Sequence, residues 1–155
     1  MIWNNYFVGA FVMAEMILEP LAARLHFTFP DPMGISKWNE ILAHFLAMLA
    51  KLCQDSDPCL IGHIKGLALL NGNCYIRASV VSASLPAQIE TKASDEISEI
   101  TFVLNILVFA LSKHTLWGIL EEVMLRSGTS WQRRVFIEPN MVKILVGSPS
   151  IHRRC

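Results

Sequence analysis

With 155 residues, 53% of them hydrophobic and 17% charged, and a mean hydropathy of +0.42, the chain is too apolar for a disordered segment and too sparsely charged for a coiled coil. A folded domain of this size buries roughly 70% of the surface its unfolded chain exposes, so one self-sufficient core is within reach. Thirteen basic residues balance thirteen acidic ones, and no global field draws the protein to nucleic acid or to an anionic membrane.

Residues 2–14 carry no charge, and Glu15 and Glu19 precede the first cation, Arg24. No Lys or Arg stands ahead of the apolar run, as a signal peptide requires, and Glu15 would sit inside the hydrocarbon of a spanning helix. A membrane role for residues 1–21 is therefore the weaker expectation. The segment reads as a helix from about Asn5 to Glu19 that is apolar almost all round, with Phe7, Phe11 and Leu18 on one side and Tyr6, Met13 and Ile17 on another. In so short a chain, part of the cover for such a helix is expected from a second copy. Phe7, Phe11, Met13, Ile17 and Leu18 are thus the candidate interface of a homo-oligomer.

Two prolines and a glycine in Phe29-Pro30-Asp31-Pro32-Met33-Gly34 mark a sharp break. They close a first segment, residues 1–34, ahead of a single α+β domain over 35–147 and a basic tail at 148–155. Ser36 is placed to cap a helix over 37–54, where Trp38, Ile41, Leu42, Phe45, Leu49 and Leu52 recur at helical spacing. His44 beside this stripe reads as a helix residue and not as a ligand. Asp55-Ser56-Asp57-Pro58 is the stop signal.

Two apolar runs within 59–84 flank Asn71-Gly72-Asn73, a strong hairpin signal. Register decides which side chains meet. A two-residue turn would set Gly66 against Arg77; a three-residue loop sets Leu70 against Cys74 and Lys65 against Ser79. The second register sorts the residues better, with Ile64, Gly66, Ala68, Leu70, Cys74, Ile76, Ala78 and Val80 on one face and His63, Lys65, Leu67, Tyr75, Arg77 and Ser79 on the other. Because a one-residue slip exchanges faces, that segregation favours the three-residue loop. The glycines of Ile61-Gly62-His63-Ile64-Lys65-Gly66 are expected to mark a bulge or to let a helix approach the sheet.

A polar connection over 85–96 is long enough for a short extra strand. The apolar run 97–111 is ambiguous by periodicity, but its β-branched and aromatic residues favour a strand buried on both faces, in which Asn105 needs a partner. Ser112 is placed to cap a second helix, 113–127, with Leu116, Trp117, Leu120, Val123 and Met124 on one side and Gly128 at its end. Adjacent Glu121 and Glu122 point about 100° apart on a helix and read as a solvated face, not as a catalytic pair. Residues 134–137 and 141–146 read as short terminal strands. Residues 126–155 hold six cations against Glu138 alone, and these are spread out rather than blocked together.

The fold expected is α+β: an antiparallel sheet from the hairpin, the 97–111 strand and a C-terminal strand or hairpin, packed on helices 37–54 and 113–127, with an extra apolar N-terminal helix. No phosphate loop, dinucleotide fingerprint, paired-histidine zinc motif or nucleophile elbow occurs, so no cofactor is expected and the balance leans away from an enzyme. Cys53, Cys59, His63 and Cys74 could in principle ligate zinc, but their spacing matches no compact knuckle and no metal is expected. Low cysteine use points to a reducing, cytoplasmic setting.

Three functions follow. The first is a non-enzymatic assembly module that oligomerises through apolar surface. The second is a small-anion or nucleotide-binding protein using His63, Lys65, Tyr75, Arg77 and Ser79, since charge-assisted donors are strong. The third, weakest with zero net charge, is a nucleic-acid binder using the basic C-terminal end.

Overall fold

The computed structural model describes residues 18–56 and 59–127. They form β1 (Leu21–Met33), α1 (Ile35–Ser56), β2 (Leu60–Leu69), β3 (Tyr75–Val80), β4 (Gln88–Lys92), β5 (Ile97–Phe109) and α2 (Lys113–Arg126). The strands make one antiparallel sheet in the order β1-β5-β2-β3-β4. Both helices lie on the same face of it, α1 across β2, β3 and β4, and α2 beside α1 over β1. The α+β class is as the sequence implies.

Alternation of period two builds β1. Leu21, Ala23, Leu25 and Phe27 are buried on the helix side, and β1 pairs with β5 from Leu21↔Ile106 to Thr28↔Glu99. Residues expected to connect the N-terminal helix to the domain, the Pro/Gly linker included, are therefore an integral strand, and the sheet begins well before residue 35. At Leu18 the chain already makes a bridge to Phe109. The expected N-terminal helix, with Phe7, Phe11, Met13 and Ile17, lies outside the described residues, as do Gly128, the terminal strands and the basic tail.

Helix α1 buries Trp38, Leu42, Phe45, Leu46, Leu49, Ala50 and Cys53, a 3.6-period stripe. It starts two residues earlier than expected, because the Gly34 carbonyl accepts from Lys37 N at 3.0 Å and Trp38 N at 3.3 Å. Gly34, not Ser36, thus occupies the cap. Ser112 does cap α2, its Oγ accepting from Thr115 N at 3.1 Å.

The apolar run 97–111 resolves as a strand because it is the partner of β1 on one side and β2 on the other. Its alternate residues Ile100, Phe102, Leu104, Ile106 and Val108 all face the core. The polar connection contributes β4, an edge strand, and β1 pairs with β5 on the side away from β2.

Aromatic rings fill the centre. Phe27 makes edge-to-face contacts with Trp38, Phe45 and Phe102 at centroid separations of 6.5, 5.7 and 6.0 Å. The Trp38 indole N–H donates to Ile97 O at 2.9 Å, which joins α1 to the start of β5. Gly62 lies at the register shift between Ile61 and His63, the expected bulge. Gly66 has a different role from helix packing: a Cβ placed there would lie 1.8 Å from Cζ of Phe102, so the ring covers the backbone of the neighbouring strand. No polar or charged side chain among the described residues is counted in the core.

Candidate functional site on the open sheet face

The hairpin adopts the three-residue loop. Leu70 N donates to Cys74 O at 2.9 Å, and Gly72 takes the left-handed conformation with φ 71°. Lys65 faces Ser79, Leu67 faces Arg77 and Leu69 faces Tyr75. Segregation follows: Ile64, Gly66, Ala68, Ile76, Ala78 and Val80 are buried under the helices, while His63, Lys65, Tyr75, Arg77 and Ser79 share the opposite face. Among the described residues no element packs on that face.

Neighbouring strands complete it. Across β5, Leu107 stands beside His63, Asn105 beside Lys65 and Val103 beside Leu67. Across β4, Glu90 stands beside Arg77. The centre of the face is consequently apolar, with half-buried Leu67, Val103 and Leu107. Within it lies one orphaned group, the buried Oδ1 of Asn105, which accepts no hydrogen bond. The partner that the sequence demands for Asn105 is thus missing for this oxygen.

Glu90 changes the electrostatics of the expected anion site. The Tyr75 hydroxyl donates to Glu90 Oε1 at 2.6 Å, and Arg77 Nη1 donates to Glu90 Oε2 at 3.1 Å. The guanidinium carbon also sits 5.4 Å from the Tyr75 ring centroid. Both ends of the ion pair are more than half exposed, so the pair adds little stability, but it neutralises the arginine. The hydrogen bond to Glu90 is the main cause raising the Tyr75 pKa above its ordinary value. Burial, and then the charge of Lys65, lower the His63 pKa, which favours the neutral imidazole. Lys65 makes no ion pair among the described residues. The five expected residues therefore do share a face, but only Lys65 offers an uncompensated positive charge.

Two further polar groupings are not legible in the sequence. On β1 and β5, His26 Nδ1 lies 3.2 Å from Thr101 Oγ1 and Nε2 lies 3.4 Å from Glu99 Oε2. These are neighbours across the β1–β5 pair. Between α1 and α2 a groove of about 340 Å³ is lined by Lys37, Glu40, Ile41, His44, Phe45 and Arg126 with Ser127. Its charges are largely satisfied within their own helices, Lys37 by Glu40 and Arg126 by Glu122.

No group of three metal-binding side chains occurs among the described residues. No helix among them is long and apolar enough to cross a membrane. Cys53 and Cys59 are outside any disulfide, whereas Cys74 is disulfide-bonded. Comparison with family models, curated proteins and solved structures finds no match to this chain.

Proposed function

We propose that the protein is a non-enzymatic assembly module that forms homo-oligomers through apolar surface, with the open sheet face as part of the contact. The observation that carries this reading is the apolar centre of that face, Leu67, Val103 and Leu107, holding the unpaired Oδ1 of Asn105. A buried acceptor without a donor costs about 1–3 kcal/mol. A second copy seated on the face would bury the apolar strip that surrounds it. Residues 1–17 remain the other apolar contribution, in keeping with the hydrophobic excess of the whole chain.

Light scattering on the intact chain is expected to give a dimer or larger. Leu67→Glu is expected to dissociate it at micromolar concentration while leaving the circular dichroism spectrum unchanged, since the introduced carboxylate would stand beside Arg77 in the folded monomer. Deleting 1–17, and no further, tests the second contribution, because Leu21 belongs to the core. A monomeric intact chain removes the proposal.

An anion held at Lys65, with His63 and Ser79 beside it, is the second reading, favoured by the uncompensated lysine. It has one effective cation rather than two, because Glu90 engages Arg77. Inorganic phosphate or a nucleotide should then raise the melting temperature of the wild type and not of Lys65→Ala. An equal shift in both proteins ends this reading. Nucleic-acid binding has least support: Arg126, the one described cation of the basic end, pairs with Glu122.

A cytoplasmic location belongs to the same proposal. Cys53 and Cys59, both outside any disulfide, support it, and the Cys74 disulfide weighs against it.

A further inference from the structure

We propose that Cys53 and Cys59 are an oxidisable dithiol pair, closing into an intramolecular disulfide when the protein meets a small disulfide of the glutathione type. Cys53 lies in the last two turns of α1 with its side chain fully buried, and Cys59 is half-buried immediately before β2. The Cys59 thiol donates to the Cys53 carbonyl at 3.3 Å. Backbone dimensions then place the Cys59 sulfur no more than about 6 Å from the Cys53 Cα, within reach of a sulfur rotating on that residue's Cβ. The two thiols also interact electrostatically, as expected for neighbouring sulfurs. Both are outside any disulfide.

Their environments divide the work. Burial, helped by the neighbouring Cys59, pushes the Cys53 thiol up to about 12, so Cys53 is a poor first nucleophile. Cys59 adjoins Leu60, which is 58% exposed, and is the side from which a reagent arrives. The Cys59 thiolate attacks one sulfur of oxidised glutathione, forming a mixed disulfide and expelling one glutathione thiolate, which takes up the proton Cys59 lost. The Cys53 sulfur then attacks the Cys59 sulfur and expels the second glutathione thiolate, which takes the Cys53 proton. The protein dithiol loses two electrons and two protons, and one glutathione disulfide becomes two glutathione thiols. The product ties the end of α1 to the start of β2.

The test is a disulfide map of the full-length chain after incubation with oxidised glutathione, acid quenching and alkylation in denaturant. The expected result is a cross-linked peptide joining Cys53 to Cys59, preceded by a glutathione adduct on Cys59. Cys59→Ser should show neither, and its Cys53 should stay unmodified until the protein is unfolded. Cys53→Ala, if it folds, should stop at the Cys59 adduct. Recovery of Cys53 and Cys59 as separate alkylated thiols, or a link from Cys59 to Cys74 instead, would overturn the proposal.

Discussion

Gly66→Val is expected to leave no folded protein at room temperature, and Gly66→Ala to cost about 3 kcal/mol or more, at or beyond the top of the usual range for overpacking. The reason is the Phe102 ring, three of whose atoms would lie 1.8, 2.3 and 2.6 Å from the added Cβ. Phe102 is fully buried and meets Phe27 edge to face, so the ring cannot turn aside without displacing the aromatic cluster. Replacing glycine in a strand gains only about 0.4–1 kcal/mol by restricting the unfolded chain, which is too little to compensate. Shrinking the ring should relieve the clash. Phe102→Leu destabilises the wild type, yet in the Gly66→Ala background it is expected to restore stability, a reversal of sign that denaturant titration of the four proteins measures directly. Additive losses would mean the ring does not cover Gly66.

Trp38→Ala carries the second large effect, about 3–5 kcal/mol, comparable to the whole stability of a weakly stable domain. Three losses coincide. A fully buried side chain is removed, its edge-to-face contacts with Phe27 and Phe29 disappear, and the Ile97 carbonyl loses its indole donor. Trp38→Phe separates them. It keeps most of the packing while leaving the carbonyl unpaired, and is expected to cost about 1–3 kcal/mol. Urea unfolding of both variants is the measurement. A Trp38→Ala protein within about 1 kcal/mol of wild type would contradict the core described above.

Both effects arise where the sequence is eloquent in one respect and silent in another. The stripe through Trp38, Leu42, Phe45 and Leu49 is visible as a helix because its apolar residues repeat at 3.6. What it packs on is set by distant strands. The hairpin register is equally legible, since only one alignment collects the small apolar residues on one face. β1 is hidden by its own punctuation. Pro30, Pro32 and Gly34 stand out as a break, whereas the alternation of Leu21, Ala23, Leu25 and Phe27 lies just upstream and merges with the apolar N-terminal run. The prolines fall between Thr28↔Glu99 and Met33↔Ile97, inside the register shift, where the regular ladder is already interrupted.

The site is legible to the same depth. Which residues share the open face follows from pleat parity alone. That Glu90 neutralises Arg77 does not, because it depends on how residues 81–87 return the chain to make β4, and those residues have no periodicity to read. Asn105 announces itself as a polar residue in an apolar strand, but the lack of a partner for its oxygen is a property of the assembled sheet.

The order of the strands also governs when this architecture can come into being. Among the described residues the first strand made, β1, has the last, β5, as its only neighbour, joined at Leu21↔Ile106. During synthesis β1 must wait, unpaired, until nearly the whole sheet has left the ribosome, and closing that long loop slows the search. The hairpin can zip early, but a nascent chain stopped before residue 97 would carry Phe27 with no Phe102 to meet it. Such a chain is a substrate for chaperones, and one severed there after translation should not reassemble by itself.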